Sequence, residues 1–204
     1  MLFRLRLLGL TAALGLAAAV GRAQDWSVGA TYGAVNDVER GLRLDGFHPH
    51  EVSAWVDYRL EPHVLLRASY VGIQTTSDSS RRLGFVGPSL VRLPELKVRI
   101  DAATIGVSYT AFEGSYTSGF FGGIGGYRIH PQHTLPAVEQ FQDPKETVFG
   151  FHVGVDGDFK IVKHVSAVGR LTFHGILSSS NKDVEPPTSN RWLLVASAGI
   201  AVHL

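Results

Sequence analysis

Hydrophobic and polar positions alternate along most of this chain, and the clearest case is its last segment. Trp192, Leu194, Ala196, Ala198, Ile200, Val202 and Leu204 form one apolar line, with Arg191, Ser197, Gly199 and His203 on the other side. A period of two is that of a β-strand with one greasy face. The same period predicts a first strand with Trp26, Val28, Ala30 and Tyr32 on one side, and a second with Ala54, Val56, Tyr58 and Leu60 opposite Ser53, Trp55, Asp57 and Arg59. A third sets Leu66, Ala68 and Tyr70 against Arg67 and Ser69, although Leu65, Val71 and Ile73 blur it. A fourth, about Lys97 to Tyr109, offers Ala103, Ile105, Val107 and Tyr109, and its parity puts Asp101 on the apolar side unless a bulge flips it. The fifth, Gly119 to His130, groups Phe121, Tyr127 and Ile129 with Gly123 and Gly125 and sends Arg128 the other way. The sixth opposes Phe149, Phe151, Val153 and Val155 to Gly150, His152, Gly154 and Asp156, and the seventh opposes Val165, Ala167, Leu171 and Phe173 to Ser166, Arg170, Thr172 and His174.

Connections of about 16, 23, 16 and 14 residues alternate with short ones of about 3, 7 and 4. Eight strands with long loops at one end and tight turns at the other form an up-and-down antiparallel arrangement. The last strand, with nothing after it to cover its edge, finds its economical partner in the first, which closes a barrel. A chain whose edges must all be paired inside hydrocarbon has closure as its solution. The predicted fold is therefore an all-β, eight-stranded transmembrane β-barrel over 24–204.

The residues before it read as an address. Arg4 and Arg6 are followed by the uncharged apolar run Leu7 to Val20 and by Gly21-Arg22-Ala23, the pattern of a secretory signal peptide over 1–23. The 14-residue run is shorter than the roughly 20 residues a spanning helix requires. Without it the chain holds 16 Lys and Arg against 18 Asp and Glu, a charge near −2, so no basic field remains to collect nucleic acid. Cysteine is absent, and export is not being used for disulfides.

On its alternation, loop pattern and ending, the chain resembles the small eight-stranded outer-membrane barrels: OmpA-like transmembrane domains, OmpX-like and opacity-type proteins. In that family a glycine five before the end and hydrophobic residues at the antepenultimate and last positions are read by the outer-membrane assembly machinery. Gly199, Val202 and Leu204 match that signal, with Leu204 in place of the usual aromatic. The resemblance implies a monomer in the outer membrane, in contact with its lipid and lipopolysaccharide, with a structural or surface-interaction role. An extracellular partner would meet the loops, where Phe47, Arg81-Arg82 and Phe85 to Leu93 form a candidate tip. No peptidoglycan-binding module is expected after the barrel. Trp26, Tyr58, Tyr109 and Trp192 fall at strand ends, as aromatic girdles require.

By parity, Arg59, Arg67, Arg128, Arg170 and Arg191 point inward with Glu51, Asp57, Glu146, Asp156, His152 and His174. Buried charges persist when paired, so these predict a salt-bridge column. An eight-stranded barrel is just wide enough for its own side chains, which makes that column a plug; a gated ion path is the functional alternative. A soluble lipocalin-like barrel would reverse the faces.

The resemblance also brings lipid A-modifying enzymes into view. His174 with Ser178 or Ser180 and Glu185 would supply base, nucleophile and carboxylate. The compact His-x-Ser-Asn pattern of the deacylases is missing, and no catalytic residue or cofactor is assigned. His48, His50, His130 and His133 match no closed metal motif, so no metal site is assigned either. His63, His164 and His203 gather at the turn side with no evident role.

Overall fold

The computed structural model describes residues 26–37, 50–77, 83–86, 89–92, 96–112, 114, 116–132, 146–177 and 191–204. The signal-peptide segment lies outside them. Ten strands follow in order: β1 (Trp26–Asp37), β2 (His50–Glu61), β3 (Val64–Ser77), β4 (Leu83–Val86), β5 (Ser89–Arg92), β6 (Leu96–Phe112), β7 (Tyr116–Gln132), β8 (Glu146–Val162), β9 (Val165–Leu177) and β10 (Arg191–His203). Eight of them close into an antiparallel barrel in the order β1-β10-β9-β8-β7-β6-β3-β2. The remaining two, β4 and β5, pair with each other alone, inside the second long connection.

Closure runs through the pair expected from the sequence. β10 lies against β1 from Ser27↔His203 to Asp37↔Leu193, and the Leu204 amide donates to the Trp26 carbonyl at 2.9 Å. With the ring closed, the barrel strands present no edge as a template for another chain. At Gly199 an added Cβ would run into the backbone of Ala30 and Thr31, so this residue has a packing reason at the seam apart from any recognition signal. Register irregularities occur at Arg59/Glu61, Thr110/Phe112 and Lys160/Val162, each beside a short turn, where the strand must bend back.

Three strands are longer than their alternation suggests: β6, β7 and β8 have 17 residues each. At a tilt near 40° such a strand rises about 43 Å, whereas an apolar belt is about 25 Å tall. The excess lies at the long-connection end. Around the belt, Tyr32, Ile105, Phe120, Ile124, Phe149, Val153 and Ile200 all point outward and are exposed. That is the opposite of a lipocalin-like placement.

Two expectations are corrected. The parity of β7 is inverted: Phe121, Tyr127 and Ile129 are buried inside, while Phe120, Ile124 and Arg128 face outward. Tyr127 fits the inner wall because its ring lies where a side chain at Gly150 would be. Secondly, charge fills only part of the interior. At the long-connection end it is replaced by a core of Val35, Val71, Ile73, Val98, Ile100, Ala102, Tyr127, Ile129, Val148, Ile176, Leu193 and Val195.

The ambiguity at Asp101 is settled without a bulge, since β3 and β6 pair unbroken from Val64↔Tyr109 to Ser77↔Leu96. Outward rows across β3, β6 and β7 read Ala68-Ile105-Ile124, Tyr70-Ala103-Gly126, Gly72-Asp101-Arg128 and Gln74-Arg99-His130. Inward rows read Ser69-Thr104-Gly125, Val71-Ala102-Tyr127 and Ile73-Ile100-Ile129. Lower rows are therefore apolar outside and polar inside. Higher rows are the reverse.

Candidate functional site

The interior is layered along the barrel axis. At the turn end a polar cup of about 320 Å³ has Pro62, Gly114 and Lys163 among its lining residues. Arg59, expected in the interior network, lines this cup and is exposed. The three histidines of this end act as ties: His164 Nδ1 donates to the His203 carbonyl at 3.0 Å, His203 Nε2 lies 3.0 Å from Ser166 Oγ, and the His63 ring packs on Tyr109.

Above the cup sits an ion layer. Arg67 donates from Nε and Nη2 to both oxygens of Asp57, at 2.7 and 2.8 Å, and from Nη1 to Asp156 Oδ2 at 2.9 Å. Arg170 Nη2 reaches the same Asp156 oxygen at 3.5 Å. The two guanidinium groups lie between aromatic faces: Arg170 is 3.6 Å from the Trp55 ring centroid and 4.7 Å from that of Phe121, and Arg67 is 5.0 Å from Phe121. Two cations, two carboxylates and two π-faces leave no net charge, the condition under which buried ions are tolerated.

The next layer is a relay of neutral and ionisable groups. His174 Nε2 is 3.0 Å from Glu51 Oε2 and its Nδ1 is 3.1 Å from the Tyr127 hydroxyl, which is 3.3 Å from the Phe151 carbonyl. His152 packs beside His174 and Phe121, with ring centroids 5.8 Å away in each case. Beyond it the apolar core closes the barrel, with Ile100, Tyr127, Leu193 and Val195 all 0% exposed.

The residues that parity sent inward are thus divided. Glu51, Asp57, Arg67, His152, Asp156, Arg170 and His174 share the interior, in two layers linked by Phe121. Arg191 is half-buried at the long-connection end, in the inward parity of Leu193. The side chain of Glu146 lies outside the described residues. Arg128 faces out, and the inner position it was given belongs to Tyr127 and Ile129. Sequence reasoning missed Tyr127 and Phe121 as partners of the charges because it sorted them to the lipid side, and it put Trp55 on the polar face without giving it a role there. The signal available was Trp55, which alternates with Ser53 and Asp57.

Of the candidate catalytic group, His174 alone lies among the described residues. His174 is 1% exposed and held inside the barrel by Glu51 and Tyr127. Ser178, Ser180 and Glu185 lie outside the described residues, as do His48, His133, Phe47 and Arg81-Arg82. His50 stacks on Tyr32 at 5.7 Å, and His130 Nε2 lies 3.8 Å from Asp101 Oδ2.

Outside the barrel a second polar group stands on β3, β6 and β7. Asp101 Oδ1 accepts from the Tyr70 hydroxyl at 2.6 Å and from Arg99 Nη2 and Nε at 2.9 and 3.2 Å. Arg128 is directly across the ladder from Asp101 but makes no ion pair with it. At the rim β9 and β10 carry a different group, with Trp192 stacked on Phe173 at 5.7 Å and edge-on to Phe151 at 6.0 Å. At the turn end Trp26 and Tyr58 pair at 4.8 Å.

No family model matches the chain, and no curated protein matches it either. Solved structures do. Neisserial surface protein A superposes with a TM-score of 0.58 at 11% identity, covering 88% of this chain and 97% of its own. A major outer membrane protein from Thermus thermophilus gives 0.56 at 13% identity, covering 87% and 98%. The N-terminal β-barrel domain of Pseudomonas aeruginosa OprF gives 0.50 at 10% identity, again covering 87% and 98%. At such identities the likeness is one of fold, and the fold is that of small eight-stranded outer-membrane barrels.

Proposed function

We propose that this chain, which shares its fold with small eight-stranded outer-membrane barrels, is itself an outer-membrane protein: a closed scaffold that holds its long connections at the cell surface. The carrying observation is the pairing of an outward apolar belt with a neutral inner ion layer. In this reading residues 1–23 are cleaved on export, and Gly199, Val202 and Leu204 engage the assembly machinery. The barrel stands in the lipid as a monomer. Outer-leaflet lipid and lipopolysaccharide surround it, and an extracellular partner meets the loops.

Transport and catalysis are disfavoured on separate grounds. The layer around Ile100 and Leu193 is built of buried apolar side chains, which give a permeating ion no charged partner. Catalysis on lipid A needs a base within reach of lipid, and His174 is committed to the interior. The word "surface" in the name of the neisserial protein agrees with a surface role here.

Fractionation of cells expressing the full chain tests the reading. The expected product lies in the outer membrane, lacks residues 1–23, needs detergent for extraction, and migrates faster unheated than boiled. Lipid A from the same cells keeps its acyl chains. A product soluble without detergent, or deacylation that disappears in His174→Ala, would contradict it.

A further inference from the structure

We infer that the outward wall of β3, β6 and β7 binds the phosphate of an outer-leaflet lipid through Arg99, Arg128 and His130. The inference rests on the membrane reading above and adds a ligand to it. The three side chains occupy the two rows where the outer wall turns from apolar to polar, with Asp101 opposite Arg128 and Arg99 opposite His130 across the ladder. Just below them are Ala103 and Gly126, and then Ile105 and Ile124, which belong to the belt. Charged side chains at that level meet headgroups.

The charge balance selects an anion. Asp101 is one carboxylate among two arginines, so the group carries +1 with His130 neutral and +2 with it protonated. Its Oδ1 is already filled by Tyr70 and Arg99, which leaves no open carboxylate pair for a divalent cation. Arg128 is exposed, and among the described residues it has no carboxylate partner. A guanidinium fork presenting parallel N–H donors fits a phosphate in a bidentate manner.

The setting selects a lipid as the source of that phosphate. The group stands on a convex wall, and a free ion there would keep water on most sides. The wall below it is smooth and apolar, however: Gly126 is exposed with nothing nearer than Thr147 at 4.0 Å to a Cβ added there, and Ala103, Ile105 and Ile124 are its neighbours on the ladder. An acyl chain lying on that wall, beside Tyr70 and Ile124, carries its phosphate to the level of Arg128.

The test uses the full barrel refolded in detergent and titrated, by native mass spectrometry, with bis-phosphorylated lipid A, with the same lipid after phosphatase treatment, and with inorganic phosphate. The wild-type barrel is expected to hold the phosphorylated lipid at least tenfold more tightly than the dephosphorylated one. Arg128→Gln, at an exposed position, is expected to reduce that ratio at least fivefold while keeping the heat-modifiable band. Inorganic phosphate in millimolar excess should not displace the lipid. Equal retention of both lipids, an unchanged ratio in Arg128→Gln, or displacement by free phosphate would overturn the inference. A folded, heat-modifiable barrel without phosphate discrimination sinks this site alone, whereas failure to fold in detergent sinks the membrane reading with it.

Discussion

Arg67 is the residue on which the interior turns, because it is shared between Asp57 on the neighbouring strand and Asp156 across the barrel. Removing one partner of a buried pair leaves a bare charge, which costs about 3–5 kcal/mol. Arg67→Ala is therefore expected to lower the stability read from urea unfolding in detergent by that amount, while Arg59→Ala, at the open cup, should change it by less than about 0.5 kcal/mol. A large loss at Arg59 or none at Arg67 would contradict the layered interior. These positions were legible in the sequence because Asp57, Arg67, Asp156 and Arg170 each sit between apolar neighbours of clear parity. Arg128 was not, since the run Phe120-Phe121-Gly122-Gly123-Ile124-Gly125-Gly126 places an aromatic in each parity and, apart from Ile124, fills the rest with glycine. Tertiary fit decides there, through Tyr127 over Gly150.

On the scale of a strand, the reversal of faces along β3, β6 and β7 explains why their alternation failed at one end. Val71 and Ile73 looked like noise, and Asp101 like an error of register; under the proposed membrane function, each follows the polarity of a barrel that has left the hydrocarbon. Interior there behaves as in a soluble protein. Leu193→Ala, in the same apolar layer, is expected to cost about 2–5 kcal/mol by the cavity it leaves. Arginine substitution on the outer wall should trace the boundary: Ile105→Arg costs about 2–4 kcal/mol if it lies near the bilayer centre, and Gln74→Arg about 0–1 kcal/mol near the interface. Both are read from urea unfolding in liposomes, and equal costs at the two positions would remove the boundary. The strand ends at the short turns were nearer to expectation, since Pro62 and the Lys163-His164 turn break the ladder locally.

For the whole molecule, closure at β1 and β10 and the apolar upper core support the proposal of a plugged scaffold. Planar bilayers containing the protein should show no unitary conductance above background, and Arg170→Ala should not open one, because the core cluster above it is built of uncharged side chains. Stepwise currents would contradict the plug. The eight strands, their order and the loop rhythm were legible because a two-residue period and turn residues are local signals. The apolar upper core was hidden, as it depends on where the membrane ends.

Membrane contact can be read directly, since the chain has no cysteine and single-cysteine spin labels need no prior substitutions. Labels at Ile105, Val107, Gln74, Arg128 and Ile100 in liposomes, saturated with oxygen or with a nickel chelate, report lipid, water or neither. The account predicts oxygen dominance at Ile105 and Val107, nickel dominance at Gln74 and Arg128, and low access to both at Ile100. Nickel access at Ile105 and Val107, or oxygen dominance at Ile100, would contradict it.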